Sequence, residues 1–446
     1  MHSQKWSIMT AWRCLMPFFT SWALLALATP AQSEDLRLKQ CLERAIAHNP
    51  LIAEAKLGVA ASEQGINSAW GRHLPRLSLD ANYSRREEPV PFIPAKAATL
   101  PAHFSDEYAS WGMLLTLPLY QGGQIGTGVE LANVRRDLQG LSLAQTRNDL
   151  IANVVNTYNK LLQLQQLRGA SRASTAALEE QVKNARLLFE VERIARVDLL
   201  KVEVQLANEQ QRLLALEEAI STTGATLRYL MGAGPAADTA ELRLTDDLAL
   251  PESPIAPVET GTAIRETRPE YRAAEKAVRE AELSHRNALG RLLPSLSALA
   301  AYTDQFAVQP WYRESTWFLG LQASMPLFDR SLYADLARER IQRERAAERL
   351  RGVGNQIGLE LDVSLATLRE SARRVETARR VIDQARESFR IEQEKYGSGA
   401  GTMSDLLLTQ AAEATAEANL SQALYDYNVG QVAYHKATGT LEEYLK

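Results

Sequence analysis

GRHLPRLSLDANYS, residues 71–84, interrupts a chain that otherwise reads as helix. Some 35 residues before it carry helical patterning, and after Pro75 the apolar Leu77, Leu79, Ala81 and Tyr83 alternate with Arg76, Ser78, Asp80 and Asn82. A period of two sends successive side chains to opposite faces, so the stretch predicts a strand that is apolar on one side only.

The same stretch returns as GRLLPSLSALAAYT, residues 290–303. Gly71, Arg72, Leu74 and Pro75 recur 219 residues later as Gly290, Arg291, Leu293 and Pro294. A second ribbon, WGMLLTLPLY, returns as LGLQASMPLF at an offset of 208, and Asp198-Leu199-Leu200 falls on Asp405-Leu406-Leu407 at 207. Internal repetition of this kind decides the architecture before any motif does. Two copies follow, residues 34–246 and 247–446, joined by a Pro-rich linker around Pro235 to Pro257. The drop in offset between the ribbons places 11 extra residues after Tyr83, in a segment with Pro89, Pro91, Pro94 and Pro101 that reads as a surface loop.

Each copy reads as helix, ribbon, loop, ribbon, very long helix, break, helix. After Gly123 apolar residues recur at steps of three and four, and no proline occurs between Gln124 and Asp198. A helix of about 70 residues is roughly 105 Å long, which makes it a coiled-coil-like rod rather than part of a globular core.

Of 446 residues, 46% are hydrophobic and 23% charged, the balance of a chain that folds. Lys5 and Arg13 precede an apolar run from Leu15 to Leu27 and the small-residue run Ala28 to Ser33, so residues 1–33 read as a cleaved secretory signal peptide. The formal charge is −4, and loss of that segment, with two bases and no acid, takes it to −6. An acidic exported chain is a poor partner for nucleic acid. Cys41 is then alone, and no internal disulfide can form. No later stretch is apolar enough for a membrane helix, so any insertion must use strands.

The ribbons suit that role. In the second, Ala109, Trp111, Met113, Leu115 and Leu117 oppose Ser110, Gly112, Leu114 and Thr116, and in the fourth Trp317, Leu319 and Leu321 oppose Phe318, Gly320 and Gln322. About ten residues of alternation are what a tilted transmembrane strand requires, with aromatic residues such as Tyr83, Trp111, Tyr302 and Trp317 at its interfaces. Each ribbon is bounded by a proline: Pro75, Pro118, Pro294 or Pro326. Four strands cannot close a barrel, and open edges are not tolerated in lipid, so several chains would have to share one. The competing reading is a periplasmic bridging protein whose ribbons form a soluble cap on its rods. An adaptor-like coiled-coil hairpin is disfavoured by the duplication.

With the duplication, the turn LPLYQGGQI and the segments EVERIARVDLL (190–200) and YGSGAGTMSDLL (396–407), the mature chain resembles the TolC-type outer membrane factor family. The resemblance implies a fold that is mainly α with membrane β: long coiled-coil helices and four strands, trimerising into an α-helical barrel and a 12-stranded β-barrel. It implies an outer membrane exit duct of a tripartite efflux pump or type I secretion system. Its partners would be two further copies, a periplasmic adaptor (membrane fusion protein), an inner-membrane pump of RND or ABC type, and outer membrane lipid.

Residue by residue, the resemblance places Asp198, Tyr396 and Asp405 at the channel entrance. It makes Val191, Glu192, Arg193, Ile194, Ala195, Ser398, Gly399, Ala400 and Gly401 adaptor-docking tips. Gly401 stands where a restraining arginine would be, Leu408 where a second acid would be, and Glu192 where glycine is usual. Arg76, Ser78, Asp80, Asn82, Ser297 and Thr303 would face the lumen. Without the resemblance, each Asp reads as a first-turn residue favoured by the helix dipole, Thr402 and Asp405 as a capping box, and the glycines as turn formers. No enzyme constellation is present, and neither a cofactor nor a metal is expected: the six histidines are scattered, and GQIGTG lacks the rest of a dinucleotide-binding unit.

Overall fold

The computed structural model describes residues 35–92, 103–234, 242–248, 266–307 and 311–442, so the signal peptide read at 1–33 lies outside it. The part of the chain read as the first copy comprises β1 (Asp35–Leu36), α1 (Leu38–His48), α2 (Pro50–Gly71), β2 (Arg76–Phe92), β3 (His103–Gln121), α3 (Gln124–Glu190) and α4 (Arg196–Leu230). The linker adds β4 (Arg243–Leu244), and the second copy comprises α5 (Pro269–Gly290), β5 (Ser295–Ala307), β6 (Tyr312–Ser324), α6 (Arg330–Gly397) and α7 (Met403–Thr438).

The helix expected upstream of Pro75 is two helices. Asn49 caps α2 by accepting from Leu51 N, and Pro50 takes the first helical position, where its missing N–H costs nothing. α2 and α5 both end in a run of three-residue backbone bonds, to Leu74 and Leu293 respectively, and Pro75 or Pro294 then forbids continuation. α3 and α6 run 67 and 68 residues, about 100 Å each.

The four long strands form one antiparallel sheet in the order β2-β3-β5-β6, so the second strand of copy one pairs with the first strand of copy two. β2 and β3 are 17 and 19 residues long against 13 for β5 and β6. Two expectations are corrected here. Pro89 and Pro91 lie in β2 rather than in a loop, because the strand resumes at Val90 after a register shift beyond Arg85; Pro94 and Pro101 are outside the described residues. Pro118 does not end its strand: β3 continues to Gln121, with a bulge between Pro118 and Tyr120 that takes up the missing donor.

Three apolar clusters tie the rods together. The largest joins α1, the middle of α3, the end of α4 and the linker through Cys41, Leu42, Ile151, Val154, Leu227 and Leu248. A second runs along α6 and α7, and a third, near the tips, joins Leu178, Val182 and Val202 of copy one to Met403 and Leu406 of copy two. The sequence reading missed β4, which pairs in parallel with β1. Two residues are too few for a periodic signal.

Candidate functional sites: the strand faces and the helical tips

Register assigns every strand residue to a face. One face carries the rows Leu77–Leu115–Ala300–Leu319 and Leu79–Met113–Tyr302–Trp317. Its large side chains, including Leu77, Leu79, Leu319, Leu321 and Trp317, are solvent-exposed on the single chain. The opposite face carries Asp80–Gly112–Thr303–Thr316 and Asn82–Ser110–Gln305–Glu314. Arg76, Ser78, Asp80, Asn82, Ser297 and Thr303 therefore share one face. That face is less uniformly polar than the alternation suggests, since Leu114, Leu299 and Phe318 also lie on it.

The apolar face holds a charge that sequence reasoning did not single out. Asp304, fully buried, falls between Tyr302 and Phe306 and accepts Arg313 Nε at 3.0 Å and Nη2 at 2.6 Å across the β5–β6 hairpin. A bidentate guanidinium pair neutralises a carboxylate that an apolar surface could not otherwise carry. With the pair closed, the apolar face runs on β5 from Leu296 to Phe306, about 34 Å along the strand, which at a tilt near 45° comes close to an apolar band of about 25 Å.

At the other end, the two tips repeat at the offset of 207. Val191, Glu192 and Arg193 bond back to Leu187, Phe189 and Leu188, as Ser398, Gly399 and Ala400 bond back to Glu394, Tyr396 and Lys395. This is the C-terminal helix stop that needs one left-handed residue. Gly399 supplies it at φ 79°, and Glu192, against its preference, at φ 58°. The hydrogen-bonding demand of the turn outweighs a side-chain penalty of about 1–2 kcal/mol. Gly401 has a local reason of its own: an added Cβ would stand 3.0 Å from the Tyr396 nitrogen, so an arginine does not fit this turn without its shifting.

The three residues that the resemblance places at an entrance are not brought together equally. Tyr396 is partly buried against the tip cluster, and burial, followed by the charge of Asp198, pushes its hydroxyl pKa up. Asp198 lies in the first turn of α4 and meets Lys201 Nζ at 3.3 Å. Asp405 is exposed and locally engaged: its N–H donates to Thr402 Oγ1 at 3.1 Å, and the Thr402 hydroxyl donates to its Oδ2 at 2.7 Å. The Thr402 cap expected from sequence is present, although the carboxylate accepts from the hydroxyl instead of the capping residue's N–H. In copy one Ala195 takes the capping place with no side-chain bond. Val191, Glu192, Arg193, Ser398 and Ala400 are exposed around these turns, while Ile194 and Gly401 are partly covered.

Among the described residues no helix is long and apolar enough to cross a membrane, and no cluster of metal-ligating side chains occurs. A one-sided apolar sheet on rods of about 100 Å defines a membrane-inserted β-structure carrying a long helical extension. The sequence model of the outer membrane efflux protein family matches residues 41–233 and 262–440, and the chain belongs to that family and to the outer membrane. Among curated relatives, it is 22% identical over 414 residues to the outer membrane efflux protein BepC of Brucella suis, covering 91% of this chain and 85% of the relative. Against the outer membrane protein TolC of Salmonella enteritidis it is also 22% identical, covering 96% and 87%. The Campylobacter jejuni CmeC outer membrane channel superposes with a TM-score of 0.78 at 14% identity, over 90% of this chain and 85% of that one. VceC of Vibrio cholerae gives 0.75 at 17%, over 90% and 96%.

Proposed function

We propose that three copies of this chain close one 12-stranded barrel and continue it as an α-helical duct, forming the passive exit channel of a tripartite efflux pump or type I secretion system. The observation that carries the reading is the sheet: four strands with an exposed apolar face and two unpaired edges, on a chain of the efflux family. In lipid every backbone donor and acceptor must be satisfied, so the edges of β2 and β6 require further copies. The even-numbered face of β2, with Asp80 and Asn82, lines the water-filled lumen, and Leu77 and Leu79 face lipid.

The long helices then span the periplasm as two copies per chain, residues 34–246 and 247–446. Their turns, at 191–195 and 398–401, dock a periplasmic adaptor that links the duct to an inner-membrane RND or ABC pump. Gating is a rearrangement of the paired tips, about 187–202 and 394–409, with Asp198, Tyr396 and Asp405 at the entrance. A soluble bridging protein is disfavoured by the row of leucines and tryptophan exposed on β6.

The test is purification of the mature chain. A duct extracts with outer membranes only in detergent, migrates as a trimer and conducts ions in planar bilayers; extraction in plain buffer as a monomer would refute it.

A further inference from the structure

We infer the residue register by which one copy pairs with the next: β6 of one chain joins β2 of its neighbour so that Gly320, Gln322 and Ser324 stand opposite Ser84, Asn82 and Asp80. The inference rests on the oligomeric reading above and goes beyond it, since sharing a barrel does not by itself fix which residues meet.

The internal repeat supplies the register. The hairpins β2–β3 and β5–β6 have the same pairing once residues are shifted by 219 and 208: Asp80↔Gly112 becomes Leu299↔Gly320, and Leu77↔Leu115 becomes Leu296↔Ala323. β3 and β5 show how a second strand of one repeat meets the first strand of the next, with Gly112↔Thr303, Met113↔Tyr302 and Leu115↔Ala300. Carried through the same shifts, these pairs become Gly320↔Ser84, Leu321↔Tyr83 and Ala323↔Ala81 between two chains. Odd residues meet odd ones and even meet even, so apolar and polar faces stay continuous across the junction. A slip by one residue would turn each face inside out.

A second observation comes from where the strands end. β3 runs to Gln121, five residues past Thr116, its last partner on β2, and that extension is held by β5 alone. The equivalent segment of copy two, from Met325 onward, is not a strand, and β6 stops at Ser324. The difference is the neighbour: β5 lies beside the first segment, and among the described residues no strand pairs beside the second. Leu119 and Tyr120 are accordingly 52% and 46% exposed, while their counterparts Leu327 and Phe328 are 88% and 87% exposed. Pairing with β2 of the next copy extends β6 and sets Met325 opposite Leu79.

Disulfide trapping in the full chain tests the register, in a Cys41→Ala background to remove the one remaining thiol of the mature protein. Directly opposed residues lie about 4.5–5.5 Å apart between Cα atoms and can bridge, whereas residues displaced by two along the strand are too far apart. Gln322→Cys with Asn82→Cys, and independently Met325→Cys with Leu79→Cys, are expected to give covalent dimers and trimers on oxidation, lost on reduction. Gln322→Cys with Asp80→Cys or Ser84→Cys is expected to give several-fold less. A maximum at a displaced pair in a protein that still runs as a native trimer overturns the register and leaves the duct standing. Absence of any trimer before oxidation overturns both.

Discussion

The side-chain amide of Asn49 donates to the carbonyl of Leu230 at 2.8 Å, tying the start of α2 to the end of α4. Copy two repeats the tie with different chemistry: Arg268 Nη1 donates to the carbonyl of Ala437 at 3.1 Å, and its other nitrogens reach Glu270 and Glu360 at 3.0 Å each. Both residues precede the proline that opens a helix, and both carbonyls belong to a helix end that has no intrahelical donor. The buckle closes each repeat where the rods meet the upper helices.

Arg268→Ala is expected to cost about 2–4 kcal/mol, because it removes a buried, paired side chain and leaves the Ala437 carbonyl without its donor, while Glu270 and Glu360 stay partly hydrated. Asn49→Ala, which removes a neutral amide and a cap, is expected to cost about 1–3 kcal/mol. Denaturant unfolding of the detergent-solubilised protein, followed by far-UV circular dichroism, checks the order; equal losses would contradict it.

Tyr158, buried in the largest cluster, donates its hydroxyl toward Asp246 Oδ2 at 2.8 Å, with Leu36 O at 3.1 Å, and Asp246 also accepts from Leu38 N at 3.0 Å. Burial first, and Asp246 second, raise the Tyr158 pKa above its ordinary 10.0. Burial likewise pushes the Cys41 thiol up from 9.0 to about 11. Groups whose folded pKa is raised hold their proton in the folded state, so their contribution is complete below the unfolded pKa and falls away as pH rises. Stability is therefore expected to decline from about pH 9 upward, the cysteine's effect levelling off near 11. A Cys41→Ala, Tyr158→Phe variant should start less stable and show a flatter alkaline limb; an unchanged limb would remove these groups from the account.

The two strand faces should tolerate charge differently. Lysine at Leu115 or Leu321, on the apolar face, is expected to cost about 2–4 kcal/mol near mid-bilayer and to block outer membrane assembly. The same change at Ser110 or Gln322, on the polar face, should leave trimer yield near wild type. Trimer recovered from outer membrane fractions is the readout, and equal tolerance would sink the barrel.

At the tips, Glu192→Gly is expected to stabilise the first turn by about 1 kcal/mol, since glycine adopts positive φ without the side-chain penalty. Slower amide exchange around Val191 to Arg193 would show it. Thr402→Ala should have the reverse effect on the start of α7, loosening it by about 1 kcal/mol.

The Asp198→Ala, Asp405→Ala pair separates entrance electrostatics from local capping. At the proposed entrance they would set conductance and ion selectivity in planar bilayers, and both should change on substitution. Identical currents would leave Asp405 with its Thr402 bond alone and Asp198 with Lys201.

How much of this was legible differs by element. The alternation from Arg76 to Tyr83 is local, and it read correctly as a strand with Arg76, Ser78, Asp80 and Asn82 on one side. The rods were legible from apolar spacing and the lack of proline, and the duplication from recurrence of whole motifs. Pro89 and Pro91 misled, because a proline is tolerated at an edge or where a ladder is interrupted: β2 is an edge of the single chain's sheet, and its pairing with β3 shifts register between Arg85 and Val90. Asp304 was invisible as a site, since its partner Arg313 gains meaning only once the hairpin sets them side by side.

The amino-acid sequence by itself determined the succession of ribbons and long rods, the strand faces and the recurrence of motifs, because periodicity and repetition are properties of neighbours along the chain. Only the tertiary structure decided that β3 meets β5, that Asn49 and Arg268 perform one task with different side chains, and that Tyr396 packs in the tip cluster within reach of the Asp198 charge. Those outcomes depend on which backbone groups remain unpaired and which charges become buried after the helices and strands pack, quantities that no stretch of sequence carries alone.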